Sequence, residues 1–219
     1  MSDQITAAQF HACDGVEDWR VLATSVAARF AIGSLEEGAL LVSQVARLGA
    51  GHACGTEVDM RPASVTVRLP FKDTGSPTGA HAALARAISV EARALGLGAG
   101  DNPVQEVHLA IDAMSLPMVM PFWKAVLGYV SLGEEDLFDP EAAGPWIWFQ
   151  QMDAPRPQRN RLHVDVYVPL ELAPARIDAA LAAGGRLVTS EHAPSWWVLA
   201  DPEGNEACVA TCMEFEGAS

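Results

Sequence analysis

The second half of this chain repeats itself, and a repeat constrains a fold more tightly than any other single sequence feature. Val107 to Asp112 (VHLAID) reads as a strand bearing one histidine, followed by a helical stretch that ends at Leu127 and Gly128. Leu162 to Val168 (LHVDVYV) reads the same way, followed by a helix from Pro174 to Gly184 and Gly185. β-rich sequence follows each copy. Two copies of one supersecondary unit pack side by side, so the equivalent histidines, His108 and His163, are expected to converge on one cavity.

Strand parity sharpens that expectation. Val107, Leu109 and Ile111 share one face of the first strand, and His108, Ala110 and Asp112 the other. In the second copy Leu162, Val164, Val166 and Val168 oppose His163, Asp165 and Tyr167. A helix covering the apolar side leaves the histidines on a polar face that lines a cleft. In the first helix Val119, Phe122, Trp123, Val126 and Leu127 have core spacing. Pro117 suits a helix start, whereas Pro121 predicts a late start or a bend. Pro145 to Met152 (PWIWFQQM) alternates, with Trp146, Trp148 and Gln150 on one face and Ile147, Phe149 and Gln151 on the other. Ser195 to Ala200 and Glu206 to Thr211 read as strands joined at Asp201 to Asn205 (DPEGN), whose Pro and Gly suit a tight hairpin.

Composition narrows the class. The chain has 219 residues, 50% of them hydrophobic, enough for two small cores or one large one, of which two is the better reading. With 28 acidic against 14 basic residues the net charge is -14, which repels a phosphate backbone and argues against nucleic acid as a partner. Cys13, Cys54, Cys208 and Cys212 have neither metal-type nor secreted-disulfide spacing, which fits a reducing cytoplasm. The start, MSDQITAAQF, lacks the basic and apolar regions of a signal peptide, and no apolar run approaches the roughly 20 residues that span a bilayer. A small molecule is therefore the expected partner, with no membrane and no nucleic acid.

The first half reads as a separate α+β domain with an antiparallel sheet. Leu95 to Pro103 (LGLGAGDNP) is rich in turn formers and aperiodic, so we divide the chain into residues 1–98, a linker at 99–103, and 104–219. Thr6 to Gln9 and Ser34 to Glu37 have capping-box spacing and start two helices. Trp19 to Ile32 reads as one or two strands and Val65 to Leu69 as another. Ser76 and Pro77 open a third helix with Leu84, Ile88 and Leu95 on its apolar stripe.

Phe30 to Val45, Glu57 to Arg61, Val65 to Leu69 and Gly75 to Ile88 together resemble the pterin-4a-carbinolamine dehydratase family. That resemblance implies an antiparallel sheet with helices on one face. The family's catalytic residues are missing: Cys54, Gly55 and Thr56 replace His-His-Pro, Phe71 and Lys72 replace Thr-His, and His81 stands for an Asp. Dehydration of a carbinolamine needs groups that exchange protons near neutral pH, and glycine has none. His52, two positions upstream, would replace them only through a local shift.

Residues 104 to about 211 resemble the vicinal oxygen chelate superfamily, the glyoxalase and bleomycin-resistance-like fold. The motifs are PFWKAVLGY from Pro121, WFQQM from Trp148, NRLHVDVYV from Asn160 and DPEGNEAC from Asp201. The resemblance implies paired βαβββ modules around a cleft and, in metal-dependent members, one ligand on the first and last strand of each. Those positions are His108, Gln150, His163 and Cys208, for one divalent metal. Most such members carry Glu where Gln150 and Cys208 stand; Cys favours a softer ion.

Three functions follow as expectations. In the first, a lyase, isomerase or dioxygenase of glyoxalase type polarises substrate oxygens at the metal while Glu206 moves the proton. In the second, a metal-free protein binds or sequesters an aromatic compound between Trp146, Trp148, Tyr167, Trp196 and Trp197. The third is pterin chemistry in the first domain. Both resemblances imply a homodimer.

Overall fold

The computed structural model describes residues 3–52, 54–71, 75–99, 104–154, 164–168 and 172–211. They form two compact units, residues 1–106 and 107–219.

In the first unit alternation builds the sheet. β1 (Arg20–Val21), β2 (Ser25–Ala31), β3 (Glu57–Arg61) and β4 (Ser64–Pro70) pair antiparallel in the order β1-β2-β4-β3. Val65, Val67 and Leu69 of β4 point with Val26, Ala28 and Phe30 of β2 into a core shared with the helices. α1 (Ala7–His11) carries the expected capping box, Thr6 Oγ1 accepting from Gln9 N and Gln9 Oε1 from Thr6 N. α2 (Leu35–Gly49) starts on Ser34 as its spacing predicts.

α3 (Gly79–Ala94) begins later than Ser76 and Pro77 suggested. The reason is local: Thr78 N donates to His81 Nδ1, making Thr78 the cap, while the Pro77 carbonyl accepts from Ile5. Nδ1 accepts, and Nε2 faces the Pro70 carbonyl at 3.2 Å, so His81 is spent on structure. Of the segment read as a linker, Leu97 and Ala99 belong to the first core, and residues 100–103 lie outside the described residues.

The second unit contains the repeat. β5 (His108–Ala113), α4 (Leu116–Leu127), β6 (Val130–Leu132), β7 (Asp136–Phe138) and β8 (Trp146–Gln151) make a sheet ordered β5-β8-β7-β6. β9 (Val164–Tyr167), α5 (Ala173–Ala182), β10 (Arg186–Thr189), β11 (Trp196–Ala200) and β12 (Glu206–Ala210) make another, ordered β9-β12-β11-β10. In both, the first strand runs parallel to the last and the rest is antiparallel. This is the βαβββ unit twice.

α4 does not start late: it runs from Leu116 with Pro117 in its first turn and Pro121 inside it. The helix is held from outside. Glu203, in the hairpin of the second module, accepts from Met114 N and Ser115 N at 2.8 Å each, placing a carboxylate at the positive helix end. At the other end Arg176 of α5 donates to the Val126 carbonyl at 2.6 Å and lies over Gly128, whose φ of 73° closes the helix. The neighbouring Asp201, 1% exposed, accepts from Trp123 Nε1 and from the amides of Glu203 and Asn205. The DPEGN turn is thus a clasp between modules as well as a hairpin. The two glycines after α5 have separate duties: Gly184 adopts φ 94°, while Gly185 lies against the Phe122 ring, 2.3 Å from where a Cβ would sit.

Candidate functional site

α4 and α5 cover one side of both sheets and share one core with Leu109, Ile111, Ile147, Phe149, Val164 and Val209. The opposite side of each sheet carries the polar and aromatic residues that parity assigned to it.

On the first sheet this uncovered face is an aromatic ladder. His108 of β5 pairs with Trp146 of β8, and their rings stack at 5.9 Å and 15°. Phe138 of β7 stacks on the other side of Trp146 at 5.7 Å and 20°. Trp146 cannot swing freely, because its Nε1 donates to Asp136 Oδ1 at 2.8 Å. Trp148, opposite Ala110 and Asp136, follows on the same face and is 37% exposed. Gln150 stands opposite Asp112. Phe138 and Asp136 escaped sequence reading because β7 is three residues long, too short for alternation to register.

On the second sheet Cys208 pairs with Asp165 and Val198, and Glu206 with Ala200. Burial pushes the Cys208 thiol up to about 12, with a hydrogen bond from the thiol to Asp165 and the charges of Asp165 and Glu206 adding to it. It stays protonated across the neutral range, an inert thiol rather than a nucleophile. Trp196 lies on this face, stacked on His192 at 4.3 Å. Trp197 does not. It pairs with Val209 and packs against the shared core, because odd and even positions of β11 face opposite sides. His163 lies outside the described residues, as does the side chain of Tyr167.

Register tests the four-cornered metal set. Cys208 is paired with Asp165, two residues beyond His163. Two residues beyond His108 is Ala110, and its partner is Trp148. The counterpart of Cys208 is therefore Trp148, not Gln150. Gln150 lies four residues along β8 from the partner of His108, about 13 Å at strand rise, too far for both side chains to share an ion. Among the described residues no three His, Cys, Asp or Glu side chains group as a metal site. His108, Gln150 and Cys208 as placed do not fit one divalent metal. The clue to this register was in the chain: Asp139-Pro140-Glu141 before β8 repeats Asp201-Pro202-Glu203 before β12, and both aspartates cap their own turns. The first turn is two residues longer, which shifts every later position in β8.

Residues 108–210 match the family model described as a glyoxalase-like domain. Among solved structures the chain is similar to a glyoxalase/bleomycin resistance protein/dioxygenase family enzyme from Burkholderia phytofirmans PsJN, with 16% identity over 48% of this chain and 97% of that one, at a TM-score of 0.41. It is similar to a glyoxalase/dioxygenase from Nostoc punctiforme, with 12% identity over 53% and 97% at a TM-score of 0.41. It is also similar to the fosfomycin resistance protein FosX from Mesorhizobium loti, with 10% identity over 50% and 92% at a TM-score of 0.40. No curated protein matches the chain. The repeated βαβββ topology and the family match coincide on the same residues, and residues 108–210 are accordingly a glyoxalase-like domain of the vicinal oxygen chelate superfamily.

Proposed function

We propose that the glyoxalase-like domain binds a flat aromatic small molecule on the uncovered face of its first sheet, without needing a metal. The observation that carries this reading is the Phe138–Trp146–His108 stack with the exposed indole of Trp148 beside it. Val130 and Leu132 extend the same face, and exposed apolar patches on a domain with a closed core mark binding surfaces. The bond from Trp146 to Asp136 fixes the platform before a ligand arrives, so little side-chain entropy is lost on binding. Trp196 with His192 offers a smaller surface of the same kind on the second sheet.

Acridine titrated against intrinsic tryptophan fluorescence tests the reading. Trp148→Ala is expected to weaken binding about tenfold or more, the worth of a stacked ring and its buried area. Unchanged affinity in both Trp148→Ala and Trp146→Phe overturns it.

Turnover of the bound molecule is a second reading, favoured by the two carboxylates that flank Cys208. In it Glu206 moves a proton on the bound compound, and Glu206→Gln abolishes turnover while leaving binding intact. For residues 1–98 we propose a dehydratase-like scaffold without the chemistry, since Cys54, Gly55 and Thr56 supply no acid–base pair. Carbinolamine dehydration by the full chain would refute that. A homodimer is part of the proposal, and sedimentation of the full chain as a monomer at micromolar concentration removes it.

A further inference from the structure

The first unit contains a cavity of about 370 Å³ lined by Val42, Val45, Ala46 and Gly49 of α2 and by Cys54, Gly55, Thr56 and Val58. The helix residues recur at the spacing that keeps one face together, and on that face they shrink from valine to glycine. The space exists because the side chains are small. Val45 is fully buried behind it, and Ala46 and Gly55 are exposed at its mouth.

Two properties of the lining select an occupant. Among the described residues that line it none is charged, and burial pushes the Cys54 thiol up, so it too stays neutral. An ion entering this space would find no countercharge among them. The second property is Thr56. Its Oγ1 is buried and has no hydrogen-bond partner among the described residues, turned toward Gly49, where a Cβ would lie 2.8 Å from it. Buried hydroxyls are nearly always satisfied, and an unsatisfied one is destabilised where it stands. Rotation about χ1 by about 120° moves the oxygen to another staggered position.

We propose that this cavity is a second small-molecule site, for an uncharged molecule of one or two rings bearing a single hydroxyl or carbonyl, which Thr56 turns to meet. The volume falls at the lower end of ligand pockets, and the lining offers that one hydroxyl as its polar side-chain handle beside a weakly bonding thiol. A pterin, with donors and acceptors around its whole edge, is poorly served by such a wall. The site is independent of the aromatic ladder.

The test uses the full chain, methyl-labelled at valine, titrated with 2-naphthol and with naphthalene. Saturable shifts of the Val42, Val45 and Val58 methyl signals are expected with both probes. Thr56→Val, which keeps the shape and removes the oxygen, should weaken 2-naphthol about three- to twelvefold, the worth of one neutral hydrogen bond, and leave naphthalene within about twofold. Ala46→Phe, at an exposed helix position, should abolish the shifts with both probes, whereas Trp148→Ala should leave them. Absence of saturable valine shifts with 2-naphthol overturns the proposal, as does a Thr56→Val protein that binds 2-naphthol as the parent does.

Discussion

Cys208 shows how much a single position depends on what is paired with it. In sequence it is the end of DPEGNEAC and a possible soft ligand; in the sheet it is a thiol wedged between Asp165 and Glu206. Thiolate formation beside two carboxylates is opposed, so alkylation at Cys208 by iodoacetamide should be negligible at pH 8 while the better exposed Cys13 reacts, as peptide-resolved mass spectrometry would show. The same shift has a stability consequence. The unfolded chain loses the Cys208 proton from its ordinary value of 9.0 and the folded chain only near 12, so the unfolded state binds fewer protons between those values and stability falls as pH rises through them. Cys54 and Tyr129, both raised by burial, push in the same direction. Cys208→Ala should flatten the decline by up to about 1.4 kcal/mol per pH unit, the limit for one proton, in urea unfolding between pH 9 and 11. Gly185 is the other decisive single residue. Gly185→Ala drives a methyl into Phe122 and should cost about 1–3 kcal/mol, whereas Gly184→Ala costs through its backbone angle alone.

Among elements, α4 is the one whose sequence is least able to explain it. Pro121 lies within it and Ser115 makes no side-chain cap bond, so periodicity and local rules predicted a late or bent helix. Glu203 and Arg176 supply from α5 and the β11–β12 hairpin what the local sequence lacks. Glu203→Ala should therefore destabilise the second unit by about 1–3 kcal/mol, since two charge-assisted bonds go and two helix-end amides are left, and Glu203→Gln should recover only part of this, because its one carbonyl oxygen replaces one of the two acceptor oxygens and its NH2 meets the other amide. The β-strands were far more legible. Leu109 and Ile111 against His108 and Asp112, or Ile147 and Phe149 against Trp146 and Trp148, sort by parity alone. Pairing between strands is what parity leaves out. The family resemblance implies Gln150 where register puts Trp148, because a two-residue difference between two turns is invisible until the strands are laid side by side. β7, the shortest of those on the ladder, had no pattern to read and supplied Phe138.

At the scale of the whole molecule the chain is two closed cores, one in residues 1–106 and one in 107–219. No helix among the described residues is long and apolar enough to cross a membrane. Because the second core is assembled from residues of its own unit, a fragment of residues 107–219 should fold alone and keep the near-ultraviolet circular dichroism of its stacked tryptophans. A fragment that stays unfolded, or that loses the signal, shows that the first unit is needed.

The clasp on α4 gives the repeat a direction. The module bearing the aromatic ladder borrows both ends of its helix from the module that follows, so the first half of the duplication is complete only when the second is in place. In amide hydrogen exchange this makes the pair a single opening unit: fraying of the Asp201–Asn205 hairpin exposes Met114 and Ser115, and their amides should exchange with the hairpin's own rather than with the strand beside them.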